Sequence, residues 1–171
     1  NTHIEEGVKL CHVGQDLIKS GEVAASLLFK LLGKDKDYLI VHIDEDISNS
    51  KHMQEKEIGF RNFLSEKLID SKSIHVLNFK TPTFVEKEII KVLEQYPTIA
   101  GIYVTTSKAH YVADVIEAYS LKVKLVGYDL MDSNIEHLEK NNIEFLIYQN
   151  PIAQASQGIT ALVDHLTFKK E

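Results

Sequence analysis

The chain is poor in the residues that would define its chemistry most quickly. Cysteine occurs once among 171 residues, as Cys11, and one thiol can neither close an internal disulfide nor build a cysteine metal site. Tryptophan is absent, and proline occurs three times and glycine eight. No Pro/Gly-rich linker, low-complexity tract or internal repeat divides the chain. No apolar run reaches the length of a membrane span, and no charged-then-apolar secretory signal opens the sequence. A membrane partner is therefore not expected, and the cytoplasm is the default compartment. Basic residues are outnumbered, 19 Lys and Arg against 25 Asp and Glu, for a net charge of -6. A nucleic-acid surface, which needs clustered Lys and Arg, is not expected on this chain.

Catalytic signatures are missing as well. None of the eight histidines pair at the i, i+4 spacing of a helical zinc site, so no metal is assigned. His42 and His75 lie inside apolar runs and read as hydrogen-bonded packing residues. His110, His137 and His165 fall on helical segments and read as solvated. The stretch "LLGKDKD" has one glycine, which follows a helix instead of opening one, so no phosphate or dinucleotide loop is present. There is no G-x-S-x-G nucleophile elbow. Cys11 reads as a small core residue. No cofactor is implied.

What is present is regular alternation. Apolar residues make up 44% and charged residues 26%, enough for one sizeable core or parts of two smaller ones. Short β-rich runs occur at "VKLCHVG" (8–14), "YLIVHID" (38–44), "SIHVLNF" (73–79), "AGIYVTT" (100–106), "VKLVGYD" (123–129) and "EFLIYQN" (144–150). Helical spacing fills the gaps at 17–32, 50–68, 84–95, 107–119, 131–140 and 151–168. In 84–95 the apolar stripe is Phe84, Ile89, Val92 and Leu93. Ser50, Thr81 before Pro82, and Asp132 or Ser133 are expected to cap helix starts. Gly33 and Asn141–Asn142 are expected to end helices in left-handed turns. The pattern predicts an α/β fold, a three-layer αβα sandwich whose mainly parallel sheet is covered by helices on both faces.

Ligands of such sheets sit outside the carboxyl ends of the strands, near the point where strand order reverses. The residues just past each run are Gln15 and Asp16; Asp44, Glu45 and Asp46; Asn78 and Lys80; Thr105, Thr106 and Ser107; Tyr128 and Asp129; Gln149 and Asn150. This row of carboxylates, amides and hydroxyls suits hydrogen bonding to a polyhydroxylated ligand, with Tyr128 or Phe60 covering an apolar sugar face.

An enzymatic alternative starts from "LIVHIDEDIS". A strand running into Asp44-x-Asp46 resembles the first motif of haloacid-dehalogenase-type, Mg²⁺-dependent phosphotransferases, in which the first aspartate attacks phosphorus and the second is the acid/base. The motif is short, the region of Asp129 lacks that family's paired aspartates, and the nucleophile lies far from the start of the chain. A solvated acidic loop is the favoured reading.

A different resemblance covers nearly all of the chain. "HVGQDLIKSGEVAASLLFKLL", "EKEIGFRNFLSEK", "GIYVTTSKAHYVADVIEAY" and "LVGYDLMDSNIEHLEKNNIEFLIYQNPIAQASQGITALVDHL" follow one another in an order similar to the effector-binding part of lac-repressor-type transcriptional regulators. These share the type I periplasmic-binding-protein fold. The resemblance is strongest from Gly127 to Leu166. It implies a non-catalytic domain that reads a small molecule, usually a sugar, between two α/β lobes, and whose closure controls DNA binding by a helix-turn-helix not contained in this sequence. Solute-binding proteins of transporters share the fold and form the alternative.

The resemblance also implies site residues. Asp16 matches the aspartate after the "VGQ" strand and Asp129 that of the "GYD" turn, both accepting bonds from ligand hydroxyls. Gln149 matches the glutamine ending the crossover strand. Two positions depart from the pattern. Lys56 stands where the family has arginine, three residues before Gly59–Phe60, and lysine lacks the planar bidentate fork. Thr106, followed by Ser107, stands where the family has asparagine. Arg61, on the same helix as Lys56, is the weaker candidate and is expected to face solvent.

The opening "NTHIEEGVKL" falls close to where an amino-terminal lobe would finish. Residues 17–143 are thus expected to form the carboxyl-terminal lobe, with 1–16 and 144–171 supplying the crossover and remnants of the other lobe. Apolar surface on "VKLCHVG" and on the helix 151–168 predicts a homodimer or a domain-swapped pair.

Overall fold

The computed structural model describes residues 12–43 and 50–168. The chain divides into two compact units, Leu17–Tyr148 and the two ends, Asn1–Asp16 with Gln149–Glu171.

The larger unit runs α1 (Leu17–Leu32), β1 (Asp37–Ile43), α2 (Lys51–Glu66), β2 (Ile74–Phe79), α3 (Val85–Gln95), β3 (Ile99–Val104), α4 (Ala109–Tyr119), β4 (Lys124–Tyr128), α5 (Asp132–Glu139) and β5 (Phe145–Ile147). Its five strands lie in the order β2-β1-β3-β4-β5, and every pairing is parallel. This is the α/β architecture expected from the alternation. The chain leaves β1 for β2 on one side, then returns across β1 to β3 on the other. Strand order therefore reverses between β1 and β3, which opens a crevice at their carboxyl ends.

The near-continuous apolar character of "DYLIVHI" follows from burial on both faces. Leu39, Val41 and Ile43 point to one side, where they join Ile102, Val104 and Leu125 under Val85 and Ile89 of α3 and Val112, Ala113 and Ile116 of α4. Tyr38 and Ile40 point to the other, joining Tyr103, Val126 and Tyr128 under Ala24, Ala25 and Leu28 of α1 and Phe60 and Leu64 of α2. On this second side the two helices touch through glycine. A Cβ on Gly21 would lie 2.0 Å from the Lys56 carbonyl oxygen, and one on Gly59 would lie 1.9 Å from that of Ile18. Gly21, in "KSGEVAAS", and Gly59, in "EIGFRN", thus let two helix backbones meet where any side chain would hold them apart.

Several element ends differ from the sequence reading, each for a local reason. β3 stops at Val104 and β4 at Tyr128. Thr105 turns its carbonyl to Lys56, and Asp129 takes a left-handed conformation with φ 63°. Ser50 and Thr81 precede their helices but make no side-chain cap bond. The N-cap of α5 is Met131, which puts Asp132 in the first turn, where its charge suits the helix dipole. Pro82–Phe84 forms a separate 3₁₀ turn, so Phe84 is 62% exposed instead of joining the α3 stripe. Gly33 and Asn141 are left-handed as expected, and Leu68 and Ser120 join them.

In the smaller unit, α6 spans Pro151–Phe168 and buries none of its residues. Ile152, Ile159, Leu166 and Phe168 are all exposed. Before it, Asn150 has φ 48° and its Oδ1 accepts from the Ala153 N–H at 3.2 Å. Residues 12–14 carry no strand, so the part of "VKLCHVG" that can be compared is not β structure. The rest of that run, with Cys11, and the Asp44 and Asp46 pair lie outside the described residues. No helix among the described residues is long and apolar enough to cross a membrane.

Candidate functional site

The carboxyl end of β3 reaches the reversal point with three hydroxyl residues in a row. Thr105 is fully buried. Its N–H continues the ladder to the Val41 carbonyl at 3.1 Å, and its Oγ1 lies 2.8 Å from His42 Nδ1. The other His42 nitrogen, Nε2, is 2.9 Å from Glu57, and Arg61 Nε donates to the same carboxylate at 2.7 Å. Burial works against the Glu57 charge, but the bonds from His42 and Arg61 prevail and hold its carboxyl below the usual range. His42 is thus the hydrogen-bonded packing residue expected. Arg61 is drawn to Glu57 and is only half-exposed, a correction to the solvent-facing expectation.

Lys56 is 2% exposed. Its Nζ donates to the Thr105 carbonyl at 2.8 Å and lies 3.6 Å from the centroid of the Tyr128 ring, a cation–π distance. Burial lowers the ammonium pKa to about 8, with the Asp129 carboxylate pulling it back up. Beneath the ring, Tyr128 OH is bonded to Ser20 Oγ and accepts from Tyr103 OH at 3.0 Å. Burial pushes the Tyr128 phenol up to about 12. Tyr128 and Phe60 are both fully buried. They pack the α1/α2 core, Phe60 stacking on Tyr103 with 5.0 Å between centroids, and do not present a face for a sugar.

Past Thr105, Thr106 is 8% exposed, and among the described residues its Oγ1 has no hydrogen-bond partner. A buried hydroxyl left so costs about 1–3 kcal/mol, and a ligand hydroxyl is one way to recover it. Across the sheet Asp129, half-buried, follows β4 and ties its N–H to the Ile147 carbonyl at 3.1 Å. The left-handed turn there is one that aspartate tolerates better than most side chains.

Four of the six expected site residues, Lys56, Thr106, Ser107 and Asp129, therefore sit at the strand ends of the larger unit, where doubly wound sheets bind ligands. Asp16 and Gln149 belong to the other unit. Asp16 is exposed, and the Gln149 carbonyl accepts from Gln154 Nε2 at 2.6 Å.

Over residues 1–170 the sequence matches the family model of the periplasmic binding protein domain. The chain belongs to that family. Compared by sequence with curated proteins, it has no significant match. Among solved structures it is similar to a protein from Bacteroides fragilis provisionally assigned as a LacI transcriptional regulator, at 27% identity and TM-score 0.82, covering 99% of this chain and 60% of that one. A periplasmic ribose ABC transporter protein from Conexibacter woesei gives 17% identity and TM-score 0.83, covering 99% and 57%. A glucose-galactose binding protein from Geobacillus stearothermophilus gives 20% and 0.77, covering 99% and 60%. The last two show the fold alone. This periplasmic binding protein domain thus spans about three fifths of the length of these relatives.

One further group in the site escaped sequence reasoning. Asn134, the third residue of α5, is fully buried and bonded to the loops after both β3 and β4. Nothing in "MDSNIEHL" separates it from a surface asparagine. His137 on the same helix is also buried, its Nε2 3.0 Å from Asp114, which corrects the expectation of a solvated histidine. His110 is half-buried beside Asn134.

Proposed function

We propose that this domain senses a small polyhydroxylated ligand, a sugar, without catalysis, and serves a transcriptional regulator in which ligand-dependent closure of two lobes alters DNA binding through a helix-turn-helix outside this sequence. The observation that carries the sugar reading is Thr106, a buried hydroxyl lacking a partner among the described residues, at the carboxyl end of β3 with Ser107 and Asp129 nearby in the strand-end row. Carboxylate and hydroxyl groups recognise hydroxyl patterns, and a site with buried polar groups discriminates against ligands that leave them unpaired.

Lys56 enters this reading in a changed role. Its Nζ is committed to Thr105 O and the Tyr128 ring, so it holds the floor of the site and sets the electrostatics seen by Asp129. Asp16 and Gln149 are proposed as further acceptors of ligand hydrogen bonds. Residues 17–143 are proposed as the carboxyl-terminal lobe, with 1–16 and 144–171 contributing the crossover and part of the other lobe. The exposed apolar residues of α6 support a homodimer; a monomer mass by light scattering at high concentration would contradict that.

The regulator reading is supported by the Bacteroides relative, which has the highest identity of the three structures described above. A solute-binding role in transport is the second reading, supported by the ribose protein, whose fold similarity matches that of the Bacteroides relative, and by the glucose-galactose protein, whose similarity is somewhat lower. The sugar reading is tested by thermal shift against monosaccharides, disaccharides, sugar phosphates and nucleosides, followed with a dye because the chain has no Trp. Ligand at about a hundred times its Kd adds roughly 2.7 kcal/mol, a shift of several degrees. The expected result is a shift with a sugar that Asp129→Ala removes. Turnover of a generic phosphomonoester with Mg²⁺, abolished by Asp44→Asn, would instead establish the phosphotransferase alternative.

A further inference from the structure

Asn134 makes contacts that an ordinary buried asparagine does not need. Its Nδ2 lies 2.9 Å from the Ser107 carbonyl oxygen, 2.9 Å from that of Tyr128 and 3.1 Å from that of Asp129. Its Oδ1 accepts from the His110 N–H at 2.9 Å, with His110 Nδ1 at 3.3 Å. Three carbonyls on one side and a backbone N–H on the other fix which way the amide faces. The side chain therefore spans the loop after β3, the first turn of α4 and the left-handed turn after β4.

These are the segments that carry Thr106, Ser107 and Asp129. Asp129 is held at φ 63°, a conformation uncommon outside glycine that persists when neighbouring bonds enforce it. Asn134 supplies two such bonds, to the carbonyls on either side of the Asp129 N–Cα–C unit. Its side-chain bonds go to the loops after β3 and β4 and to the first turn of α4, so what its side chain stabilises is the relation between these segments.

We infer that Asn134 is the positioning residue of the strand-end site: it fixes the distance and orientation between the Thr106–Ser107 hydroxyls and the Asp129 carboxylate, and so sets ligand affinity without touching the ligand. The inference rests on the sugar-binding reading for its consequence, but its geometry can be tested without any ligand.

The experiment compares Asn134→Ser and Asn134→Asp with the wild-type chain by amide hydrogen exchange. The aspartate keeps the shape and turns an oxygen toward the three carbonyls. Exchange at the Asp129 amide should quicken at least tenfold in both variants, and at the His110 amide in Asn134→Ser alone, because the aspartate still accepts from the His110 N–H; the Ile40 and Ile102 amides of the sheet should be unchanged. Equal acceleration everywhere, or none at the two loops, overturns the inference. Should both variants fail to fold, the wild-type chain decides. The side-chain amide protons of Asn134 should exchange at least a hundredfold more slowly than those of exposed Gln157, and equal rates would overturn it. The affinity arm uses D-ribose, D-arabinose, D-galactose and D-glucose. Asn134→Ser should weaken the best of these at least tenfold in the wild-type background and less than twofold beside Asp129→Asn, which keeps an acceptor oxygen and measurable binding. Equal losses in both backgrounds would mean a merely structural role and contradict the inference. If none of the four sugars binds the wild-type chain, the sugar reading fails while the exchange rates still decide the role of Asn134.

Discussion

On the α3/α4 side of the sheet the core is aliphatic, built from Leu39, Val41, Ile102, Val104, Ile89 and Ile116. On the α1/α2 side three tyrosines, Tyr38, Tyr103 and Tyr128, and Phe60 fill the same depth, and polar groups thread between them. Ser20, Tyr128 and Tyr103 form a hydrogen-bonded chain, Lys56 sits over one ring, and His42 joins Thr105 to Glu57. The first side needs only volume. The second needs every polar atom placed, because an unmet buried group costs as much as a good packing contact gains. It is also the side whose bonds reach the strand ends: Lys56 holds Thr105, and Tyr128 leads into Asp129. The polar groups that hold the strand ends thus come mainly from this face, with Asn134 of α5 reaching them from the α4 side.

The contrast between the two faces can be broken from either side. The largest effect is expected from Ile102→Ala in the aliphatic core, which should cost about 2–5 kcal/mol of stability; denaturant unfolding measures it, and ligand affinity of the folded fraction should be unchanged. A change of affinity as large as that of Asp129→Ala would show that the faces are not separate. Lys56→Met comes next and acts through pH. The folded-state pKa near 8 lies below the ordinary 10.5, so between these values the unfolded chain binds more protons and stability rises with pH. The stability of the wild type relative to Lys56→Met should therefore climb by about 3 kcal/mol across that window. Unfolding midpoints at the two ends of the window test this, and parallel profiles would contradict it.

Glu57→Gln should cost about 1–2 kcal/mol at neutral pH by loosening both His42 and Arg61. Because the Glu57 carboxyl is held below its ordinary 4.5, its stabilisation is present above that value and is lost as pH falls through the lower, folded value, so the two proteins should converge in acid. A gap that stays constant with pH would assign the loss to shape alone. The smallest effect belongs to the exposed Tyr119–Glu86 bond of 2.7 Å on the aliphatic side; Tyr119→Phe should change stability by less than about 0.5 kcal/mol, measured in the same way.

The sequence carried the fold through features that repeat: strand runs such as "DYLIVHI", the helical spacing of 17–32, and turn residues such as Gly33 and Asn141. It carried half of the proposed site, because Thr106, Ser107 and Asp129 directly follow recognisable strands. What it could not carry depends on contacts far apart in the chain. Tyr128 looked available at a strand end, and only its bonds to Ser20 and Tyr103 show that it is core. Lys56 reads in sequence as a ligand contact, and the bond its Nζ makes to the Thr105 carbonyl is one that no side-chain pattern advertises. Asn134 and His137 are polar residues on a short helix, and their burial is decided by α4 and by two loops. Cap positions failed for a simpler reason: Ser50 and Thr81 stand where caps stand, but neither side chain bonds a first-turn N–H, and the Thr81 hydroxyl lies 3.1 Å from that of Thr83 instead.

The most direct test is an amide NMR titration of the chain with the sugar giving the largest thermal shift. The account predicts that shifts concentrate at Thr105–Ser107 and Tyr128–Asp129, saturate with the thermal-shift affinity, and leave Ile89 and Ile116 unmoved. Saturable shifts confined to the α3/α4 face, with Thr106 and Asp129 unchanged, would contradict a ligand site at the strand ends.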